Sequence, residues 1–262
     1  MLIWILIGII QGLFEWIPVS SSGILMILLV SFGVNPAKAY EYSLIIHIGT
    51  LLSLLIALKE DFIILINQLI NLLKHGILDR ELKLLIIASI SSAIIGLPLY
   101  YTYKVMISEL TLIQIKIIIS LLLFLTAIIS LFLVRNGSRD LNFNHALIVG
   151  LLQGLSIIPG LSRSGLTITG LLALGVKCDL AFKWSFIISG PAILGLILLN
   201  ILKGLPIFSF EIFIALLSAF IVGLISIKFM LEISKRINRS IIMITTAILI
   251  LISTIIDLII IL

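Results

Sequence analysis

The sequence predicts an all-α polytopic membrane protein built from two inverted-topology repeats, each a re-entrant helix hairpin plus about three transmembrane helices. Three observations predict it. The residues are 61% hydrophobic and only 11% charged, with a mean hydropathy of +1.38, a balance unlike that of a soluble domain. Apolar runs of about 18 residues or more recur along the chain, each long enough to cross roughly 30 Å of hydrocarbon as a helix. Finally, QGLFEWIPVSSSG from Gln11 to Gly23 is repeated 142 residues later as QGLSIIPGLSRSG from Gln153 to Gly165. Gln11, Gly12, Leu13, Ser20, Ser22 and Gly23 fall opposite Gln153, Gly154, Leu155, Ser162, Ser164 and Gly165 without a gap. The register persists through Gly33 and Gly175, Ala39 and Ala181, and Ser43 and Ser185. Such self-similarity marks an internal duplication, with repeat one over 1–142 and repeat two over 143–262 of a single membrane domain.

Leu2 to Trp16 and His145 to Ile157 are too short to cross comfortably, and each runs into Pro, Gly and Ser. A second short apolar segment follows each, Ile24 to Phe32 and Leu166 to Leu174. Half-helix, polar break, half-helix predicts re-entrant hairpins over 2–33 and 145–175. Irregular backbone at membrane depth is tolerated where protein or a water-filled cavity surrounds it. Full spans are predicted at Tyr42 to Leu58, Lys83 to Tyr101, Thr111 to Val134, Trp184 to Leu202, Phe210 to Leu231 and Ser240 to Leu262. Phe62 to His75 is shorter and polar on one side, which suits an interfacial helix.

Three crossings between the hairpins put the two halves in opposite orientations, so the tips, Ser20 to Ser22 and Ser162 to Ser164, converge near the midplane. Lys59, Lys74, Arg80, Lys83, Arg135, Arg139, Lys177, Lys183, Lys235, Arg236 and Arg239 then fall on one side, against Lys38, Lys104 and Lys203 on the other. The basic side is expected in the cytoplasm, with both termini and the mouth of the first hairpin outside. The net charge of +5 is read through this rule, with no nucleic-acid partner. The single cysteine, Cys178, excludes a disulfide framework and a cysteine metal cluster. An apolar N-terminus without a basic flank reads as retained structure, not a cleaved signal peptide. The sequence leaves room for a homo-oligomer.

Glu15 and Arg163 are ionisable groups at membrane depth, which are costly unless paired, solvated or used. Gln11 and Glu15, four residues apart, share one helical face. Ser20, Ser21 and Ser22 at the start of a second half-helix form an anion cradle with its backbone N–H groups. Around Arg163 the second hairpin supplies Ser162, Ser164 and Thr167, and a guanidinium binds phosphate oxygens bidentately. The substrate-binding set is therefore Gln11, Ser20, Ser22, Ser162, Ser164 and Thr167, about a catalytic set of Glu15, Ser21 and Arg163. A divalent cation, Mg²⁺ or Ca²⁺, suits a site with one carboxylate, Glu15, plus substrate phosphates.

These stretches resemble the two signature regions of the undecaprenyl-diphosphate phosphatase family, the bacitracin-resistance type. Glu41 to Thr50 (EYSLIIHIGT) and Trp184 to Gly195 (WSFIISGPAILG) extend the resemblance over essentially the whole chain. It implies an integral membrane hydrolase that removes the terminal phosphate of a polyprenyl diphosphate lipid, a cell-envelope glycan carrier. It implies dependence on a divalent cation and an active site open to the outer face of the plasma membrane. The family's acidic motif matches Gln11 and Glu15, its serine run Ser20 to Ser22, and its essential arginine Arg163. Ile24 departs from the pattern, since many members carry histidine there. His47 is read as a packed or polar-bonded histidine within its helix.

The expected chemistry is in-line attack on the terminal phosphorus, with Arg163 and a cation neutralising the equatorial oxygens. The nucleophile is Ser21, activated by Glu15, or a water that Glu15 or the metal orients. A buried Glu15–Arg163 ion pair tying the hairpins together is a structural alternative compatible with the same site. A polyprenyl-phosphate flippase is the functional alternative, because broken helices at the midplane also build transporters.

Overall fold

Eleven helices make up the structure, a computed structural model that describes residues 1–133, 137–202 and 209–236 together with Ile252 and Ile255. They are α1 (Leu2–Phe14), α2 (Ser21–Ser31), α3 (Pro36–Ile45), α4 (His47–Ala57), α5 (Lys59–His75), α6 (Arg80–Ile107), α7 (Leu112–Leu133), α8 (Phe143–Leu155), α9 (Arg163–Ala173), α10 (Cys178–Leu202) and α11 (Phe210–Arg236). Among the described residues five stretches are long and apolar enough to cross a membrane: Pro36–Ala57, Arg80–Ile107, Leu112–Ser130, Cys178–Leu202 and Phe210–Ser234. The protein is therefore a multi-pass α-helical membrane protein. The sixth predicted span, Ser240 to Leu262, and the loop charges Arg135, Lys203 and Arg239 lie outside the described residues.

The first span differs from its expectation. Asn35 caps α3 by accepting from Ala37 N at 3.0 Å, with Pro36 at the first helical position, so the span begins six residues before Tyr42. It is also broken at Ile46 into α3 and α4. Beside the break the His47 ring nitrogen Nδ1 lies 2.7 Å from the Ser43 carbonyl.

The two repeated stretches each form helix, break, helix, α1 with α2 and α8 with α9. Ser20 caps α2 and Ser162 caps α9, each accepting from the N–H three residues on, Gly23 at 3.2 Å and Gly165 at 3.1 Å. Each second half-helix is followed by a left-handed glycine at matching positions, Gly33 with φ 81° and Gly175 with φ 83°, the backbone region glycine adopts without cost. Helix α5 is mostly exposed, with only Leu65 buried, and ends on Gly76 with φ 70°. Glu60 and Asp61 at its start and Lys74 and His75 at its end oppose the helix dipole. Asp61 also pairs with Lys183 at 2.6 Å, which holds α5 against α10 as an interfacial helix.

Small residues bring the first half-helices close to long ones. Gly8 and Gly12 of α1 press on Ala215, Ala219 and Gly223 of α11, while Gly150 and Gly154 of α8 press on Ala88, Ser91, Ser92 and Ile95 of α6. These are two small-xxx-small contacts of the kind that packs helices in lipid, where burial of apolar area gives no drive. Helix α7 lies across both hairpins, its Ile119 against Gly23 and Gly160 and its Thr126 against Gly165. A side chain at position 150 would collide with the backbone of Ala88. Gly150→Val is expected to cost about 1–3 kcal/mol by overpacking and to lower the melting temperature in detergent. Gly195→Ala, whose added carbon meets nothing within 4 Å, should leave the temperature unchanged or slightly raised.

Candidate active site

The two breaks meet. Ser20 Oγ accepts from Gly160 N at 3.0 Å, Ser164 Oγ donates to the Ile17 carbonyl at 2.9 Å, and Tyr40 Oη donates to the Ile157 carbonyl at 3.1 Å. Pro18, Pro159 and the serines interrupt the helices just where these crossing bonds need irregular backbone.

Glu15 closes α1 and is 5% exposed. Its Oε2 accepts from Gln11 Nε2 at 2.8 Å and Ser21 Oγ at 2.8 Å, with His47 Nε2 3.1 Å away. Its Oε1 is bound by Arg163 Nη2. Four elements, α1, α2, α4 and α9, thus converge on one carboxylate. Arg163 is the first residue of α9, its guanidinium carbon stands 5.4 Å from the centre of the Trp16 ring, and its Nη1 donates to the Ser185 carbonyl at 3.4 Å. Trp16 is fixed edge-on to Phe186, ring centres 5.0 Å apart. A guanidinium over an indole face gains cation–π attraction while its remaining N–H groups stay available.

A cavity of about 350 Å³ opens on this cluster. Glu15, Ser20, Ser21, Ser22, His47, Arg163 and Ser164 line its charged end; Ser92, Gln153, Ser156 and Ser189 line a neutral polar flank. Ala93 and Leu97 of α6 and Ile193, Leu196 and Leu199 of α10 make an apolar wall. A headgroup with an apolar tail matches that division, and the N-terminus of α2 offers unpaired N–H groups to an anion.

Several expected substrate contacts lie behind the cavity wall. Gln11 does not line it; its amide holds Glu15. Ser162 caps α9, and Thr167 Oγ1 pairs with Ser185 Oγ at 2.6 Å and donates to the Arg163 carbonyl at 2.8 Å, so both support Arg163 without reaching the cavity. Ser20, Ser22 and Ser164 do line it, as do Glu15, Ser21 and Arg163. His47 is polar-bonded within its span, as read from the sequence, and it also stands at the site, against Glu15. A polar residue within an apolar span was the available signal. Ile24, by contrast, packs with the partly buried apolar residues around α2. The buried ion pair of Glu15 and Arg163 is present, and it occupies the same place as the candidate site.

Fold and cavity define a polytopic helical membrane protein with a buried ion pair, Glu15 and Arg163, at the junction of two broken helices. The family model described as bacitracin resistance protein BacA matches residues 4–252, and the chain belongs to that family. A Methanothrix thermoacetophila protein named undecaprenyl-diphosphatase is 35% identical to it over 90% of both chains. Proteins of the same name from Korarchaeum cryptofilum and Alkaliphilus metalliredigens are 36% and 34% identical, each over 88% of this chain and 90% of its own.

The double role of Ser20 is measurable. Ser20→Ala removes a helix cap, about 0.5–2 kcal/mol, and leaves the Gly160 N–H without its partner, about 1–3 kcal/mol more. Ser162→Ala removes chiefly a cap. Thermal unfolding should rank Ser20→Ala clearly below Ser162→Ala; equal losses would show that the cross-hairpin bond contributes nothing.

Proposed function

We propose that this protein hydrolyses undecaprenyl diphosphate, or a like polyprenyl diphosphate, to the monophosphate and inorganic phosphate, regenerating a lipid carrier for cell-envelope glycans and conferring resistance to bacitracin. The observation that carries the reading is the Ser21 hydroxyl donating to Glu15 Oε2 at 2.8 Å while Arg163 holds the other oxygen, all on one cavity with an apolar wall. A base bonded to a nucleophile beside an anion-binding group is what phosphoryl transfer needs. Transport of a lipid phosphate needs only the cradle, and no relative described above carries a transporter's name.

Arg163, with the N-terminal N–H groups of α2 and the hydroxyl of Ser22, binds the terminal phosphate; the tail lies along α6 and α10. Ser21 Oγ passes its proton to Glu15 and attacks the terminal phosphorus in line. The bond to the bridging oxygen breaks, and the polyprenyl monophosphate leaves. Glu15 passes that proton to the oxygen of the leaving monophosphate, and the carboxylate then takes a proton from water, which attacks the phosphorus. The bond to Ser21 Oγ breaks, and Glu15 returns the proton to Oγ as phosphate leaves. Gln11 and Trp16 hold the base and the arginine in place, the first by hydrogen bond and the second by stacking.

In this reading a divalent cation sits at the carboxylate end of the cavity, where Glu15 is the one acidic residue among the described lining residues. Among the described residues no cluster of three His, Cys, Asp or Glu side chains is present, so Glu15 would hold Mg²⁺ or Ca²⁺ chiefly in company with substrate phosphates. When bound, the cation supplies positive charge to the phosphate oxygens. The basic loops face the cytoplasm in this reading, with the N-terminus and the cavity mouth on the outer face.

Phosphate release from a polyprenyl diphosphate by purified protein, with Mg²⁺ or Ca²⁺ and with EDTA, tests the reading. Glu15→Gln, Ser21→Ala and Arg163→Lys should each lower kcat by about 10²–10⁴, with folding checked by thermal unfolding. Wild-type protein that melts cooperatively yet releases no phosphate would remove the hydrolase. Full activity in EDTA would remove the cation, and full activity in Ser21→Ala would move the nucleophile to water.

A further inference from the structure

The two oxygens of Glu15 are held by different parties. Oε1 belongs to Arg163; Oε2 is shared by Gln11, Ser21 and His47. One N–H of Arg163 Nη2 is on the carboxylate and one of Nη1 is on the Ser185 carbonyl, which leaves three of its five donors for a phosphate. A phosphate that draws the guanidinium toward itself loosens its hold on Oε1 and leaves the orientation of the carboxylate to the partners of Oε2. Of these, Ser21 gives up its hydrogen bond as it reacts. Gln11 lies one turn away on the same helix and moves with Glu15.

We infer that His47 is a positioning residue of the hydrolytic site, holding Glu15 aimed at Ser21 from α4 while Arg163 is engaged with substrate. The inference rests on the hydrolase reading. His47 is itself anchored: Nδ1 lies 2.7 Å from the Ser43 carbonyl at the α3–α4 break, which directs Nε2 at Glu15 Oε2. The ring lines the cavity, whereas a packing histidine needs neither nitrogen on an acceptor. Nearby carboxylates do not compete for it, since Glu41 of α3 pairs with Lys104 and Asp61 of α5 with Lys183. The break in the first span thus has a use. It sets the ring beside the Ser43 carbonyl, and that contact fixes the ring that steadies the base.

Two measurements test this. In ¹⁵N-histidine-labelled protein, proton NMR should show a slowly exchanging Nε2–H signal from His47 that persists in Arg163→Ala, which imitates departure of the arginine, and is lost in Glu15→Ala. Loss of the signal in Arg163→Ala, or its survival in Glu15→Ala, overturns the inference whether or not the protein hydrolyses anything. In the phosphate-release assay, His47→Phe should lower kcat by about 100-fold with KM within about threefold, the signature of a misplaced catalytic group. His47→Gln, whose amide N–H can replace the ring, should recover at least about tenfold of that loss. A raised KM at unchanged kcat, or full activity in His47→Phe, also overturns it. A wild-type protein without hydrolysis removes the parent reading and leaves the NMR result to decide the hold on Glu15.

Discussion

The junction of the two broken helices is arranged around the buried negative charge of Glu15. Glu15 is 5% exposed, and an isolated carboxylate in such a place costs several kcal/mol unless charged and hydrogen-bonded partners surround it. Its partners come from four helices, so any movement of one hairpin against the other opens a gap around the charge. The geometry of catalysis and the registration of the two halves are for that reason one constraint. Removing a single partner of a buried ion pair is more damaging than replacing both, and a substrate that draws Arg163 away must offer charge in exchange.

Duplication supplied the frame twice and the chemistry once. Both hairpins have the same serine caps, the same glycines after their second half-helices and the same amide on the first, Gln11 and Gln153. At the positions that react, the copies differ: Ile157 stands opposite Glu15, and Ser21 stands opposite Arg163. The carboxylate and hydroxyl come from one half and the guanidinium from the other. Gln153, without a carboxylate to hold, donates instead to the Ile188 carbonyl at 3.0 Å. The half-site around it became a neutral flank of the cavity.

Sequence alone was enough for the hairpins and the long spans, because chain length against bilayer thickness and a gap-free repeat are local quantities. It was also enough to bring Glu15, Ser21 and Arg163 together, since ionisable residues in apolar surroundings are few. The break at Ile46 was not legible: Tyr42 to Leu58 has an unbroken apolar period, and the interruption coincides with a ring nitrogen against a backbone carbonyl. The contact of His47 with Glu15 was not legible either, as that partner is 32 positions earlier and is brought near only by tertiary packing. Gln11 was assigned to substrate because it shares a face with Glu15. That same proximity makes it the support of Glu15.

The small-residue contacts cross between halves. α1 lies on α11 and α8 lies on α6, so each hairpin is seated by a long helix of the opposite copy. Helix α1 therefore has no seat until α11, some two hundred residues further along, has been made, and Glu15 lacks its arginine until Arg163 has followed it. Neither repeated stretch is a separable unit, because each is completed by a helix from the other part of the chain.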